Sequence, residues 1–282
     1  MNKNGKLLFA LIYNSEKRTI FAMEMETSLH INWNEKEKSE QERLHDESLM
    51  AEMRARVKVI AFDADDTLWD CQSHFEAVEH AYCLMLSRWG DEQYISQELL
   101  KTETANMAEL GYGCKAFTLS LVENAVKVSG GEITSEELLK IQDQGRSLLR
   151  IPATPLPGVE ATLETLRACG RYKLVVFTKG EIQDQENKLR RSGLWNLFQR
   201  VDVVADKTQR HYQNLCETLG IRPEELLMVG NSFKSDIEPV LAIGGYAVHI
   251  PFEVVWAHEH MEAYDHARLM SAHRFERLKD LA

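Results

Sequence analysis

The sequence predicts an α/β fold, a doubly wound parallel sheet with an all-helical domain inserted into it. Three observations carry this. Short, nearly continuous apolar runs recur at residues 57–62, 172–177, 201–204, 226–229 and 246–250, the pattern of strands buried on both faces. Each run is separated from the next by a helix-like segment, and strands alternating with helices mean a parallel sheet wrapped by helices. Between the first and second runs, residues 71–153 read as helix throughout, far more chain than the single helix a crossover needs.

The elements follow in chain order. Residues 1–54 differ in character: 6–13 and 19–25 read as a hairpin across Asn14-Ser15-Glu16-Lys17, and the charged stretch 35–56 reads as a solvated helix. No motif of known chemistry falls there, so a chain starting at Met53 is expected to fold and act. The core is assigned to 55–70 and 154–282, and the helical domain to 71–153. Within the latter, Thr134-Ser135-Glu136-Glu137 is a capping box, while Gly111, Gly113 and Gly130-Gly131 mark breaks. Pro157-Gly158 opens a helix with an apolar face of Val159, Leu163 and Leu166. Gly170, Gly193 and Gly220 stand where helices end, and Pro223 suits the first turn of a short one.

Composition narrows the function. The chain has 282 residues, 44% hydrophobic and 27% charged, with a formal net charge of -11. This balance is that of a globular protein and lacks the basic face a nucleic-acid binder needs. An anionic small substrate remains compatible, because one lysine in a pocket acts locally against the mean field. The five cysteines, Cys71, Cys83, Cys114, Cys169 and Cys216, are scattered without CxxC or finger spacing, as in a reducing compartment. No run has the length of a membrane span. Lys3 and Lys6 precede the apolar run 7–13, but no small-residue cleavage site follows, so a cytoplasmic location is expected. Nothing in the sequence sets the oligomeric state.

In a doubly wound sheet, ligands gather beyond the carboxyl ends of the strands. Those ends carry Asp63 and Asp65 after the first run, Thr178 after the second, Lys207 after the third, and Asn231 with Asp236 after the fourth. Two carboxylates one residue apart, with oxygen donors from another strand, hold a hard cation such as Mg²⁺; the candidate ligands are Asp63, Asp65, Asn231 and Asp236. Thr178 and Lys207 supply a hydroxyl and a positive charge for phosphoryl oxygens. Asp63 is then the nucleophile and Asp65 the acid toward the leaving group and base toward water. Lys207 would stand in the first turn of a helix capped by Asp206, where the macrodipole disfavours a cation, and a residue set against local preference is expected to have a task. Lys179 is a rival cation beside Thr178. Ser232 reads as the N-cap of the helix after the fourth strand, and Trp89, Tyr112, Lys115, Phe117 and Arg146 in the insertion read as ordinary helix-bundle core and surface, with reach to a substrate as the alternative.

Asp63-Ala64-Asp65-Asp66-Thr67-Leu68, Thr178, Lys207 and Gly230-Asn231-Ser232-x-x-Ser235-Asp236 together resemble the four ordered motifs of the haloacid dehalogenase superfamily of hydrolases, over roughly residues 57–250. The resemblance implies a Rossmann-like core, a helical cap between the first and second motifs, a small phosphorylated metabolite as substrate, and a magnesium-assisted aspartyl-phosphate intermediate. Dehalogenases of that family lack the carboxylate at the position of Asp65, so its presence favours phosphate; phosphonatase, phosphomutase and phospho-ligand-binding regulator remain alternatives. Two departures stand out. Asn231 occupies a place where the family's phosphatases usually have Asp, which removes one negative charge from the metal site, and Asp66 occupies one where Gly is common.

Overall fold

The computed structural model describes residues 40–254 and 256–282; the hairpin expected at 6–25 lies outside them. Six strands form one parallel sheet: β1 Val59–Phe62, β2 Lys173–Lys179, β3 Arg200–Val204, β4 Leu226–Gly230, β5 Tyr246–His249 and β6 Leu269–Ser271. Their order is β3-β2-β1-β4-β5-β6, the Rossmann-like arrangement in which the winding reverses between β1 and β4. Five strands match the apolar runs. β6 does not stand out in the sequence, because three residues are too few to show a period.

Alternation along β1 sends Val59 and Ala61 to one core and Ile60 and Phe62 to the other. Phe62 is in register with Val176 of β2 and Val229 of β4. The polar residues at or just beyond the ends of these three strands therefore emerge side by side, and the residue patterns at 63, 178 and 231 become one place in space.

Between β1 and β2 stand five α-helices: α2 Gln72–Met85, α3 Glu92–Leu110, α4 Cys114–Val128 and α5 Ser135–Ser147 of the insertion, then α6 Val159–Ala168, which leads back to the sheet. Leu86, Ile95, Leu99, Leu121 and Ile141 are fully buried, and Tyr82 donates to the buried Asn124 at 2.5 Å. The Thr134 box forms as read, with Thr134 N donating to Glu137 at 2.9 Å and Glu137 N to Thr134 Oγ1 at 3.3 Å. Among the described residues no helix is long and apolar enough to cross a membrane.

The stretch read as a solvated helix is α1, Glu40–Arg56, and one of its faces is not solvated. Leu49, Met50 and Met53 are at most 3% exposed and join the main core, while Glu52 accepts a hydrogen bond of 2.7 Å from Tyr246 on β5. The charge run obscured this stripe of three apolar residues. A chain starting at Met53 gives up Leu49 and Met50, so the packing argues against the expectation that it folds. Met50→Ala in the full chain is expected to cost about 2–4 kcal/mol, read as a lower urea midpoint; an unchanged midpoint would show that α1 contributes nothing to the core.

Candidate active site

β1 ends as the Asp63 amide donates to Val229 O at 2.9 Å, and the chain then turns sharply. Asp66 takes the left-handed conformation at φ 62°, which explains why glycine suits this position. Aspartate is tolerated because it returns the strain as a cap: Asp66 Oδ1 accepts from the amides of Cys71 at 2.8 Å and Gln72 at 2.9 Å, at the start of α2.

Asp63, Thr178, Lys207 and Asp236 are all buried, at 7% exposure or less. Lys207 donates to Asp63 Oδ1 and, at 2.7 Å, to Asp236 Oδ1. Thr67 Oγ1 lies 3.2 Å from both Asp63 Oδ2 and Asn231 Oδ1. Burial, then the neighbouring Asp236 charge, lifts the Asp63 carboxyl to about 7 against the pull of Lys207. Lys207 itself loses by burial but is held above its ordinary value by Asp236 and Asp63. One ammonium thus serves two buried carboxylates.

The local reason given for Lys207 is corrected by the structure. The helix α8, Gln209–Leu219, has Thr208 as its N-cap, and Asp206 Oδ1 accepts from the Lys207 amide at 2.8 Å instead. Lys207 precedes the helix, so the macrodipole does not oppose it; tertiary ion pairing holds it. Ser232 caps as expected, accepting from Ser235 N at 3.0 Å, and opens a five-residue π-helical turn, Phe233–Ile237. That turn folds Asp236 back until its Oδ2 accepts from Ser232 N at 3.0 Å. A Cβ added at Gly230 would collide with the Asp236 side chain, so glycine there is a matter of space.

Asp65 is arranged differently from its expected partners. Both of its oxygens are taken: Lys188 Nζ is 2.8 and 2.7 Å from them, Gln185 donates to Oδ2 at 2.7 Å, and Trp69 Nε1 to Oδ1 at 2.7 Å. Burial alone would raise this carboxyl, but the Lys188 charge and these hydrogen bonds outweigh it and leave Asp65 below its ordinary value. Trp69, Gln185 and Lys188 were not among the residues read from the sequence. Lys179 is also spoken for, on Ser235 Oγ at 2.9 Å and on Glu259.

The set fits a hard cation. Among the described residues no three His, Cys, Asp or Glu side chains gather into a metal cluster, and a cation here would have the carboxylates of Asp63 and Asp236 and the amide oxygen of Asn231 to bind. With the Asp65 carboxylate engaged by Lys188, the backbone carbonyl is what Asp65 has left to offer. Oxygen donors in this small number suit Mg²⁺, which keeps several of its waters, and not thiolate- or imidazole-seeking metals.

All six residues read from the sequence line one cavity of about 370 Å³, a volume suited to a small ligand. From the insertion, Phe75, Glu79, Glu103, Met107, Tyr112 and Phe117 close it. Of the five insertion residues read from sequence as bundle core and surface, Tyr112 and Phe117 line the cavity. Trp89, Lys115 and Arg146 do not: Trp89 carries Arg88 over its ring at 3.8 Å, Lys115 pairs with Glu181, and Arg146 is exposed. Burial, with the Glu79 charge second, lifts Glu103 from 4.5 to about 7. A carboxyl with a raised native value binds its proton more tightly folded than unfolded, so its contribution to stability is present below 4.5 and lost as pH rises to about 7. Glu103→Gln is therefore expected to flatten the fall of the urea midpoint over that range; an identical slope would show Glu103 to be solvated.

A family model described as a haloacid dehalogenase-like hydrolase matches residues 57–244. A curated glyceraldehyde 3-phosphate phosphatase from Methanothermobacter thermautotrophicus is 26% identical over 218 residues, covering 73% of this chain and 91% of that protein. A second protein of that name, from Methanopyrus kandleri, is 26% identical over 202 residues, covering 69% and 84%. Among solved structures, a haloacid dehalogenase-like family hydrolase from Xanthomonas campestris is 32% identical with a TM-score of 0.70, over 77% of this chain and 87% of that one.

Proposed function

We propose, from the premise that this chain belongs to the haloacid dehalogenase-like hydrolase family, that it is a magnesium-dependent phosphatase of a small phosphorylated metabolite, working through an aspartyl-phosphate on Asp63. The observation that carries this reading is the pair of carboxylates two residues apart in opposite electrostatic states: Asp63 buried against Asp236 with Lys207 between them, and Asp65 clamped as an ion by Lys188. The names of the two curated relatives support a phosphate monoester, and glyceraldehyde 3-phosphate as a first compound to try. Five free cysteines support a reducing, cytoplasmic setting.

Asp63 attacks phosphorus through a carboxylate oxygen, the bond to the leaving oxygen breaks, and that oxygen takes a proton from Asp65. Asp65, now ionised, takes a proton from water as the water attacks the phosphoryl group on Asp63; the bond from phosphorus to the Asp63 oxygen breaks, and phosphate leaves with the carboxylate restored. The two transfers cancel over the cycle, and the Lys188-paired form of Asp65 is the one that serves the second half. Lys207 and the Thr178 hydroxyl face the phosphoryl oxygens. Asp63, Asp236, Asn231 and the Asp65 carbonyl would hold Mg²⁺, which would supply further positive charge for those oxygens.

The test is phosphate release from para-nitrophenyl phosphate and a panel of phosphorylated metabolites, with Mg²⁺ and with EDTA. Release that needs Mg²⁺ is expected; release indifferent to EDTA would remove the metal from the reading, and none from any ester would remove the activity. Gly230→Ala is expected to lower kcat on the order of 10²-fold by displacing Asp236, with an unchanged far-ultraviolet spectrum. Full activity in that variant would mean that Asp236 has no part in the site.

A further inference from the structure

The helix α7, Ile182–Arg191, follows directly on the loop after β2, and its burial runs against its hydropathy. Its one isoleucine, Ile182, is 64% exposed, whereas Asp184, Gln185 and Lys188 are buried beside Leu189. An amphipathic surface helix turns its apolar stripe inward; this one turns inward an acid, an amide and an ammonium. Removing an ammonium from water is unfavourable unless excellent geometry compensates, so the arrangement calls for a reason beyond packing.

We infer that Lys188, with Gln185 beside it, is a positioning residue for the Asp65 carboxylate; the inference rests on the phosphatase reading, in which Asp65 exchanges protons with the leaving oxygen and with water. Lys188 Nζ bridges the two Asp65 oxygens at 2.8 and 2.7 Å. Gln185 adds a donor to one oxygen and Trp69 to the other, each at 2.7 Å. Each oxygen therefore has two donors, and rotation of the carboxylate about its Cβ–Cγ bond is stopped. Proton transfer demands that the acceptor oxygen sit within hydrogen-bond reach of the reacting atom, and a carboxylate free to rotate would meet that geometry only part of the time.

Lys188 is steadied from its other side. Asp184, one turn earlier on the same helix, has Oδ2 3.4 Å from Nζ, and Cys114 Sγ, at the start of α4, donates to that same oxygen at 3.4 Å. The clamp thus reaches from the insertion through α7 to the loop after β1. A purely structural lysine would be satisfied by Asp184 one turn away; here the shorter contacts run to Asp65.

The test compares wild type, Lys188→Met, Lys188→Arg, Asp65→Asn and the Asp65→Asn, Lys188→Met double variant. Substrates are phenyl phosphate and para-nitrophenyl phosphate at saturating Mg²⁺, with a thermal melt of each protein. The readout is the first-turnover burst of leaving group and the steady-state kcat, which separate departure of the leaving group from attack of water on the phosphoryl-enzyme. Lys188→Met is expected to lose on the order of 10²-fold in kcat on para-nitrophenyl phosphate while keeping its burst, because the ionised, Lys188-paired carboxylate is the form that takes the proton from water; the loss is smaller on phenyl phosphate, whose slower leaving-group step shares control of kcat. Lys188→Arg should recover part of the loss, and in the Asp65→Asn background Lys188→Met should cost nothing further. A burst that slows as much as kcat, or an equal loss with and without Asp65, would make Lys188 a structural ion partner and overturn the proposal while leaving the phosphatase reading intact. If wild type turns over neither ester nor any metabolite, the phosphatase reading falls and this proposal falls with it. Should Lys188→Met not fold, Gln185→Leu carries the same comparison: a smaller loss of kcat with the burst kept supports the clamp, and an unchanged kcat overturns it.

Discussion

Asp63→Asn is expected to abolish turnover, by about 10⁴-fold or more, because an amide oxygen does not displace an alkoxide from phosphorus and no other group takes over the covalent step. The same variant is expected to keep its stability. The Asp63 carboxyl is raised to about 7 by burial and by Asp236, so its ionised form is disfavoured in the native state. For a raised carboxyl, stability is fully present below the unfolded value of 3.8 and lost as pH climbs through about 7. Asparagine, which resembles the protonated acid, escapes that loss. The expected result is an inactive protein whose urea midpoint at pH 8 is equal to or above that of wild type; near wild-type turnover would refute the covalent mechanism.

Asp65→Asn should give the opposite combination. Turnover falls by ~10²–10⁴-fold, the usual worth of a positioned proton-transfer group, and stability falls as well. Asp65 is held below its ordinary value, so its stabilising contribution is present above 3.8 and lost as pH falls through the lower native value. Removing the carboxylate leaves the Lys188 ammonium, 2% exposed, with Asp184 at 3.4 Å as its remaining carboxylate and Cys71 Sγ at 3.9 Å as a weak acceptor. Breaking a fully buried pair costs about 3–5 kcal/mol. Because the Asp65 side chain is 26% exposed and water screens that end, about 1–3 kcal/mol is expected here. Stopped-assay kinetics and urea denaturation at pH 7.5 test both parts. A variant slow but as stable as wild type would show that Lys188 finds another partner.

These two carboxylates mark the limit of what local sequence shows. Asp63 and Asp65 were found because they follow a buried strand in a parallel sheet, where topology alone brings strand ends together. The capping residues Thr134 and Ser232 were found for the same kind of reason, since a cap is written within four residues. Lys188 was not found, although a signal existed: α7 offers almost no apolar residue for a helix that must pack on a sheet, so it had to bury polar ones. For Lys207 the dipole reason is one the structure does not support. Its partners Asp63 and Asp236 lie 144 and 29 residues away, and no dipole argument within one helix contains them.

By itself the sequence determined five of the six strands, their alternation with helices, the helical insertion and the six groups gathered near the strand ends. Each of these is encoded over a few consecutive residues and assembled by the handedness and parallel pairing of the sheet. Only the tertiary structure decided which face of α1 is core, which insertion residues reach the cavity, and how charge is shared, with Lys207 between Asp63 and Asp236, and Lys188 on Asp65 from 123 residues away. Those outcomes depend on burial and on contacts between distant segments. The same aspartate type, two residues apart, is pushed up in one case and down in the other by its three-dimensional neighbours.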